Sequence, residues 1–551
     1  MKNNIKHRVL IFAIILVAAF LRFYNLSSVP PHLTPDEASL GYNAYSILKT
    51  GKDEYGHTMP LIFKSFGDYK PGLYVYLTVP FVYLFGLNEF SVRAPAAFFG
   101  VICVYLIYLL VKELFKRERL ALISSFLFAI VPWGIYFSRG AWEVNISLCL
   151  TLFGIYFFLR FLEKPKNLLL SAFFFALTLL AYQGAKLSTS IVLILLVVFN
   201  FKNVVKAPKK YLISSFLLGL FISLPIFISL FSGKAGRLNV FSVFSHGRPK
   251  EYLENQLNQG NEKVGDISYY LFHSEIYNFA RGIFGRWFNH FSARFLFFEG
   301  DWSNPRHSAP SSGVLTLVDS ILYILGLIAL FKAKLNKNKL FIISWLILAC
   351  LPAILSRDQV HAVRSLNMLI PLVITLSLGF EYLINIKIKP KKIVLLIFGG
   401  LYLLSYLYFL DAYFVHLPVH DSKYWEYGYK QIVEVVTPIQ NQYKTIKVQQ
   451  SYAQPYIYFL FYQKYDPAKY QKQAILKESE YGDVGQVERL DNIYFAPIDW
   501  TKNRGETETL FVADPIRIPA EDSMDLSMFK IISEIKYLNK RDIAFRIIEI
   551  K

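Results

Sequence analysis

The strongest constraint on this chain is a recurrence. Apolar runs of roughly 16 to 22 residues follow one another from position 9 to about 411, separated by short gaps rich in lysine and arginine. As a helix, a run of that length covers the hydrocarbon core of a bilayer, about 30 Å thick. Of 551 residues, 54% are hydrophobic and only 18% charged, which is more apolar than a soluble protein of this size requires. The sequence therefore predicts a polytopic α-helical membrane protein. The first run, VLIFAIILVAAFLRFYNL, is followed by no small-residue cleavage site and reads as a retained span.

The net charge of +19 would suit a nucleic-acid partner if it formed one patch. Instead it is divided among KHR near the start, KELFKRER at 112–119, EKPK at 163–166, FKNVVKAPKK at 201–210, KAKLNKNK at 332–339 and KIKPKK at 387–392. Short positive loops mark the cytoplasmic side of a membrane protein, so the charge reads as topology and nucleic acid is excluded as a partner. Cys103, Cys149 and Cys350 lie in or beside apolar runs and offer neither a disulfide framework nor metal-ligand spacing.

Spans at 8–25, 91–111, 120–137, 144–162, 167–182, 187–201, 211–231, 312–332, 339–355, 364–386 and 391–411 give about 11 crossings. With the amino terminus inside, every basic loop then falls in the cytoplasm. This parity requires that PGLYVYLTVPFVYLFG (71–86), short and interrupted by Pro80, lie at or dip into the outer interface without crossing. The outer face then receives 26–90, 138–145, 182–187, 232–311, 356–365 and everything after about 412. The aromatic and basic loop 232–311 suits helices resting on the membrane surface. From about 421 the pattern changes: helix candidates at YWEYGYKQIVEVVTPI and 453–465, and strand candidates at KTIKVQQ, 492–500, 509–516 and 542–550. These predict a small extracytoplasmic α/β domain over 412–551, behind a transmembrane domain over 1–411.

The polar residues that could carry chemistry collect on the outer side. Asp36 and Glu37 sit in PHLTPDEASLGYNAY, Asp68, Tyr69 and Lys70 in FGDYKPGLY, and Arg139 and Glu143 in SRGAWEVN. Lys186, then Asp301, Arg306 and His307 in GDWSNPRHSAPSSG, then Arg357, His361 and Arg364 follow in later outer loops. Carboxylates there can accept a proton from an attacking hydroxyl or amine. Lysines and arginines can hold a lipid-linked phosphate and stabilise its charge as it leaves. Each element also has a local reading: in TPDE, Thr34 is an N-cap, Pro35 the first helical residue, and the acids complement the helix dipole. The two readings are compatible, because a helix start fixes the direction of a carboxylate.

In these residues the chain resembles the GT-C glycosyltransferases, specifically the family 39 group of protein O-mannosyltransferases and lipid A aminoarabinose transferases. The resemblance rests on PDE (35–37) after a first span, YKPGLYVYL (69–77), FGLNEFSVRAPAAFFGV (85–101), a basic inner turn and SRGAWEVN, and covers roughly 1–200. It implies a bacterial cytoplasmic-membrane enzyme, inverting, that moves a sugar from a polyprenyl-phosphate carrier to a protein, lipid or polysaccharide acceptor. It implies a catalytic acid at Asp36 with Glu37 beside it, a phosphate-contacting Lys70, and a further acid at Glu143. Arg139, Lys186 and Arg364 are the supporting phosphate-binding cations, and Asp68, Tyr69, His361, Asp301, Arg306 and His307 the candidates for substrate contact. Ser39 stands where the aminoarabinose transferases carry Arg, which shifts phosphate binding onto other cations. No cofactor is demanded, and the paired carboxylates leave a divalent metal open. A transporter of lipid-linked sugars would instead predict midplane charges or broken repeats, and the sequence shows neither. A non-catalytic envelope scaffold would leave Asp36, Lys70 and Glu143 unexplained.

Overall fold

The computed structural model describes residues 2–231, 242–245, 247–332, 336–387, 389–450, 454–477, 485–523, 525 and 527–551. The start of the loop expected outside, 232–241, and parts of two basic loops expected inside, 333–335 and 388, lie outside the described residues, as do 451–453.

Every run read as a span is helical. The first elements are α1 (Lys2–Phe23), α2 (Pro35–Thr50), α3 (Leu73–Phe85), α4 (Glu89–Phe115), α5 (Glu118–Ile130) and α6 (Pro132–Tyr136). Then come α7 (Glu143–Phe161), α8 (Asn167–Ala181) and α9 (Ala185–Phe199). Among the described residues, six helices are long and apolar enough to cross a membrane by length and composition: Glu89–Phe115, Glu143–Phe161, Lys209–Ser229, Lys337–Ile354, Leu366–Asn385 and Lys391–His420. α8 and α9 are shorter, at 15 residues each, and α5 breaks at Val131 before Pro132 begins α6.

Two runs differ from their expected bounds. The run 312–332 is helical only from Asp319. Residues 314–315 instead form a bend, donating their amides to the carbonyls of Phe295 and Leu296, while Trp133 N–H donates to the carbonyl of Val314. The last run continues past 411 through a π-helical turn, Ala412–His416, to His420. α3 contains Pro80 and spans only about 20 Å, too short to cross the hydrocarbon core. Glu275–Phe291 carries Ile276, Phe284 and Phe288 exposed along its length, the pattern of a helix lying on a bilayer surface.

Small residues set the closest helix crossing. A Cβ on Gly379 would meet the carbonyl oxygen of Leu322 at 1.9 Å, and one on Gly326 the carbonyl oxygen of Thr375 at 2.0 Å. Helices Asp319–Lys332 and Leu369–Asn385 therefore touch backbone to backbone, which only glycine allows.

Side-chain contacts sort the loops into two opposite faces. On one, Lys112 pairs with Glu118 at 2.7 Å, Arg160 with Glu163 at 3.1 Å and Arg117 with Glu381, and Lys337 Nζ donates to Asn200 Oδ1 at 3.2 Å. These are the predicted inner loops. On the other, the outer loop meets the carboxyl-terminal domain: Tyr458 Oη donates to the carbonyl of Leu33 at 3.0 Å, and Gly485 N–H to that of Phe66 at 2.7 Å.

The carboxyl-terminal domain holds a six-stranded mixed sheet in the order Arg489–Leu490, Ile493–Ala496, Thr445–Gln449, Thr509–Ala513, Ile543–Ile550, Phe529–Lys536. The central Thr445–Gln449 runs parallel to both neighbours. All four strand candidates are present. The two edge strands, Phe529–Lys536 and Arg489–Leu490, were not expected: the first lacks a regular polar–apolar alternation and the second is two residues long. The domain does not stand apart: Tyr456 to Phe461, Ile446, Val448 and Leu510 share one continuous buried core with Leu33, Ala38, Tyr42, Phe63 and Tyr74 of the outer loop.

Candidate active site

The outer loop is built around the start of α2. Thr34 caps it as the sequence predicts: Glu37 N–H donates to Thr34 Oγ1 at 3.2 Å, and Thr34 N–H returns a bond to Glu37 Oε2 at 3.0 Å. Pro35 occupies the first turn and Gly51, in the left-handed region at φ 69°, ends the helix. The chain then forms a hairpin, β1 (Ile62–Ser65) and β2 (Asp68–Pro71), paired antiparallel with Ser65 opposite Asp68 and Phe63 opposite Lys70. This hairpin was not among the sequence expectations; Phe66 and Gly67 make its turn with both φ values positive.

This hairpin brings Lys70 to Asp36. Lys70 Nζ donates to Asp36 Oδ1 and also lies 5.7 Å from the Phe66 ring centre. The lysine is nearly covered, at 11% side-chain exposure, whereas Asp36 is 58% exposed. The two line a pocket of about 310 Å³, counting its open mouth, together with Glu143, Ser39, Asn43, Ser65, Phe63, Leu40, Pro71 and Val75. Glu143 reaches it from the first turn of α7. Three of the sequence candidates thus converge: one acid from the outer loop, one acid from a span, and one lysine from the hairpin.

Glu37 does not join them. It is buried and accepts four bonds: Arg93 Nε at 3.0 Å and Ala141 N–H at 2.8 Å on Oε1, and Thr34 N–H at 3.0 Å and Arg93 Nη2 at 3.3 Å on Oε2. Arg93, on α4, also donates to the carbonyls of Leu26, Pro30 and His32. Consecutive helical residues point about 100° apart, so the adjacent acids face different environments. Glu37 ties α2, α4 and the 138–142 loop together, and it does not line the pocket that holds Asp36. Nor do Asp36 and Glu37 form a paired metal site, since the guanidinium of Arg93 occupies the latter.

Arg139, expected as a phosphate ligand, is also buried. It donates to the carbonyls of Leu21, Arg22 and Val29 at 2.8 to 3.2 Å, and its guanidinium stacks 4.7 Å from the Phe414 ring centre. With Arg22, which donates to the carbonyls of Ala18, Phe128 and Ala129, it ties the end of α1 to α5 and to the loop that follows α1. Lys186 Nζ donates to Gln183 Oε1 at 2.9 Å, and Gln183 donates to the carbonyl of Tyr69 at 2.7 Å. Lys186 therefore abuts the hairpin without lining the pocket. Asp68 is buried at the hairpin turn. Arg364 pairs with Asp358 at 3.0 Å. Asp301, His307 and His361 meet in a separate buried cluster, and Arg306 lies next to them, its carbonyl accepting from Tyr136 Oη at 2.9 Å. None of these last five residues lines the Asp36 pocket.

Sequence reasoning missed the floor of the pocket. Asn43 and Glu54 exchange two bonds, Asn43 Nδ2 to Glu54 Oε1 and Glu54 N–H to Asn43 Oδ1, both 3.0 Å. Asn43 also donates to the carbonyl of Ser39, whose hydroxyl lies 3.2 Å from Ser65 Oγ. Burial pushes the Glu54 carboxyl up to about 8, so it is protonated at neutral pH. The signal was Asn43, one turn after Ser39 on the helix face that also carries Asp36. On the neighbouring wall, burial pushes His32 down to about 4. The neutral ring donates through Nδ1 to the carbonyl of Leu33 at 2.7 Å and accepts Lys430 N–H on Nε2 at 3.1 Å, joining loop to sheet domain.

Known proteins resemble this chain in one segment and in overall fold. Residues 69–228 match the family described as dolichyl-phosphate-mannose-protein mannosyltransferase. A stretch of 170 residues is 27% identical to a putative mannosyltransferase, YkcB, of Bacillus subtilis (strain 168), covering 30% of this chain and 22% of that protein. The chain thus matches only about a fifth of that relative's length. Crystal structures of ArnT from Cupriavidus metallidurans, in the apo state and bound to undecaprenyl phosphate, superimpose with a TM-score of 0.54 at 13% identity, over 98% of this chain and 97% of theirs. The helical bundle with the sheet domain packed on its outer loop gives this chain the GT-C fold of the ArnT structures, and its segment 69–228 resembles the mannosyltransferase family.

Proposed function

We propose that the protein is a membrane glycosyltransferase that moves a sugar from a polyprenyl-phosphate carrier to an acceptor at the outer face of a bacterial cytoplasmic membrane. The observation that carries this reading is the Asp36–Lys70 pair in one pocket with Glu143. ArnT, which shares the fold, has been crystallised with undecaprenyl phosphate. The basic loops gather on the face opposite the pocket, and under the positive-inside rule that face is cytoplasmic. The amino terminus is then inside, and the sheet domain over 421–551 is outside.

In this reading Lys70 is held by Asp36 until a donor phosphate competes for it. The ammonium then follows the phosphate and stabilises its charge as the glycosidic oxygen departs. Asp36, released and open to solvent, accepts the proton of the acceptor nucleophile, which attacks the anomeric carbon from the face opposite phosphate with inversion. Glu143 orients the sugar. Ser39 and Ser65 offer hydroxyls where a phosphate or sugar could hydrogen-bond. The covered lysine concentrates the effect, because a charge contact in a site of low dielectric is typically worth about 10²–10³ in rate.

The test is to offer the purified protein a panel of polyprenyl-phosphate sugars and follow release of polyprenyl phosphate. Release that Asp36→Asn abolishes while the variant still binds donor supports the reading. Movement of the intact lipid-linked sugar between leaflets without release would make the protein a transporter. Activity in chelator decides the metal dependence of transfer. The shared core rules out a simple deletion of the sheet domain as a test of acceptor access; substitutions on its exposed surface serve instead.

A further inference from the structure

We propose that Asp301, His307 and His361 form a binding site for a divalent transition metal of the zinc type, separate from the Asp36 pocket, that braces the outer loops. One ligand atom from each residue lies within 4.8 Å of the others. All three side chains are buried, where a surface ion pair would have no reason to converge. Two imidazoles and one carboxylate suit Zn²⁺ and its first-row neighbours, whereas Ca²⁺ and Mg²⁺ call for oxygen ligands. Side-chain shifts of no more than about 1.5 Å bring such a set to the ligand spacing of a tetrahedral site, about 3.3 Å.

The surroundings are those of an oriented ligand set. Asp301 Oδ2 accepts Ala362 N–H at 2.7 Å and lies 2.9 Å from His307 Nδ1, while Oδ1 accepts Asn304 N–H at 3.1 Å. The proton between Asp301 and His307 is what a metal ion would replace. The backbone of His361 is fixed from both sides: its N–H donates to His290 Nε2 at 3.2 Å and its carbonyl accepts Ser365 Oγ at 2.8 Å. The His290 ring is itself set by its Nδ1 against the carbonyl of Arg286 at 2.8 Å. Such outer contacts preorganise ligands and commonly alter metal affinity about 10–100-fold when removed.

The site joins segments far apart in sequence. Asp301 and His307 close the large outer loop, and His361 belongs to the loop before helix Leu369–Asn385. The Trp142 ring stands edge-on to His307 at 5.5 Å, one residue from Ala141, which holds Glu37. A metal here would rigidify the wall behind α7 without touching substrate. The proposal is independent of the glycosyl-transfer reading.

Tag-free protein, stripped with chelator in detergent, is titrated with Zn²⁺ and with Co²⁺. Expected results are about one equivalent bound per chain, intense visible absorption of a tetrahedral Co²⁺ centre, and a metal-dependent rise in the temperature of heat aggregation. His307→Gln and His361→Gln should each abolish the Co²⁺ spectrum and the thermal rise, and His290→Gln should weaken affinity by about tenfold or more. Failure of folded wild-type protein to bind either metal at micromolar concentration overturns the proposal. So does an unchanged Co²⁺ spectrum in the His307→Gln, His361→Gln double variant. The first result would leave the cluster as an Asp–His hydrogen-bonded pair alone.

Discussion

Asp36 and Glu37 are neighbours of the same charge, yet the structure assigns them opposite sensitivities. Removing the charge of Glu37 with Glu37→Gln puts an amide nitrogen at one of two oxygens, each of which now accepts two bonds. Whichever position it takes, two donors face a donor, and the Arg93 guanidinium remains buried without its counter-ion. Breaking a buried pair in this way typically costs about 3–5 kcal/mol. Arg93 keeps three carbonyl partners, so the low end, about 3 kcal/mol, applies. That is a factor on the order of 10² in the folded-to-unfolded ratio. Asp36→Asn removes an ion pair from a carboxylate that is 58% exposed, worth no more than about 1 kcal/mol. The assay is heat aggregation of purified protein, read by size exclusion after timed heating, beside release of polyprenyl phosphate. Glu37→Gln should aggregate well below wild type, with transfer reduced in proportion to lost folded protein. Asp36→Asn should match wild type in heat resistance and lose transfer by 10²-fold or more. Equal heat sensitivity of the two variants, or near-normal transfer by Asp36→Asn, would refute the division of roles.

Lys70→Ala should weaken donor binding and transfer while leaving heat resistance near wild type, which a donor-competition assay checks; unchanged donor affinity would remove the phosphate role. The raised Glu54 carboxyl gives a pH dependence of defined sign. Its folded value of about 8 lies above the ordinary 4.5, so its contribution to stability is complete below 4.5 and is lost as pH rises through 8. Heat resistance of wild type should fall between about pH 4.5 and 8 more steeply than that of Glu54→Gln and level off above that; parallel profiles would contradict the assignment. Gly379→Ala should separate two spans that touch through backbone and cost about 1–3 kcal/mol, whereas Gly399→Ala, with open space around it, should be silent in the same heating assay.

The sequence by itself determined the membrane class, the helical runs, the sorting of basic loops onto one face and the start of α2. These follow from short-range rules: apolar length against bilayer thickness, charge next to a span, and Thr34, Pro35 and Glu37 within a single helical turn. It also singled out Asp36, Lys70 and Glu143. Which polar residues share a pocket is decided by pairing across long stretches of chain, and no local pattern encodes that. The Phe66–Gly67 turn folds Lys70 back onto Asp36. The burial of Arg93 claims Glu37, and two carbonyls at the end of α1 and one in the loop after it claim Arg139. Residues 301, 307 and 361 meet only because the large outer loop packs on the 356–365 loop. A buried charge must find partners wherever packing brings them, so tertiary structure alone could separate the exposed acid in the pocket, Asp36, from the buried acid paired with Arg93, Glu37.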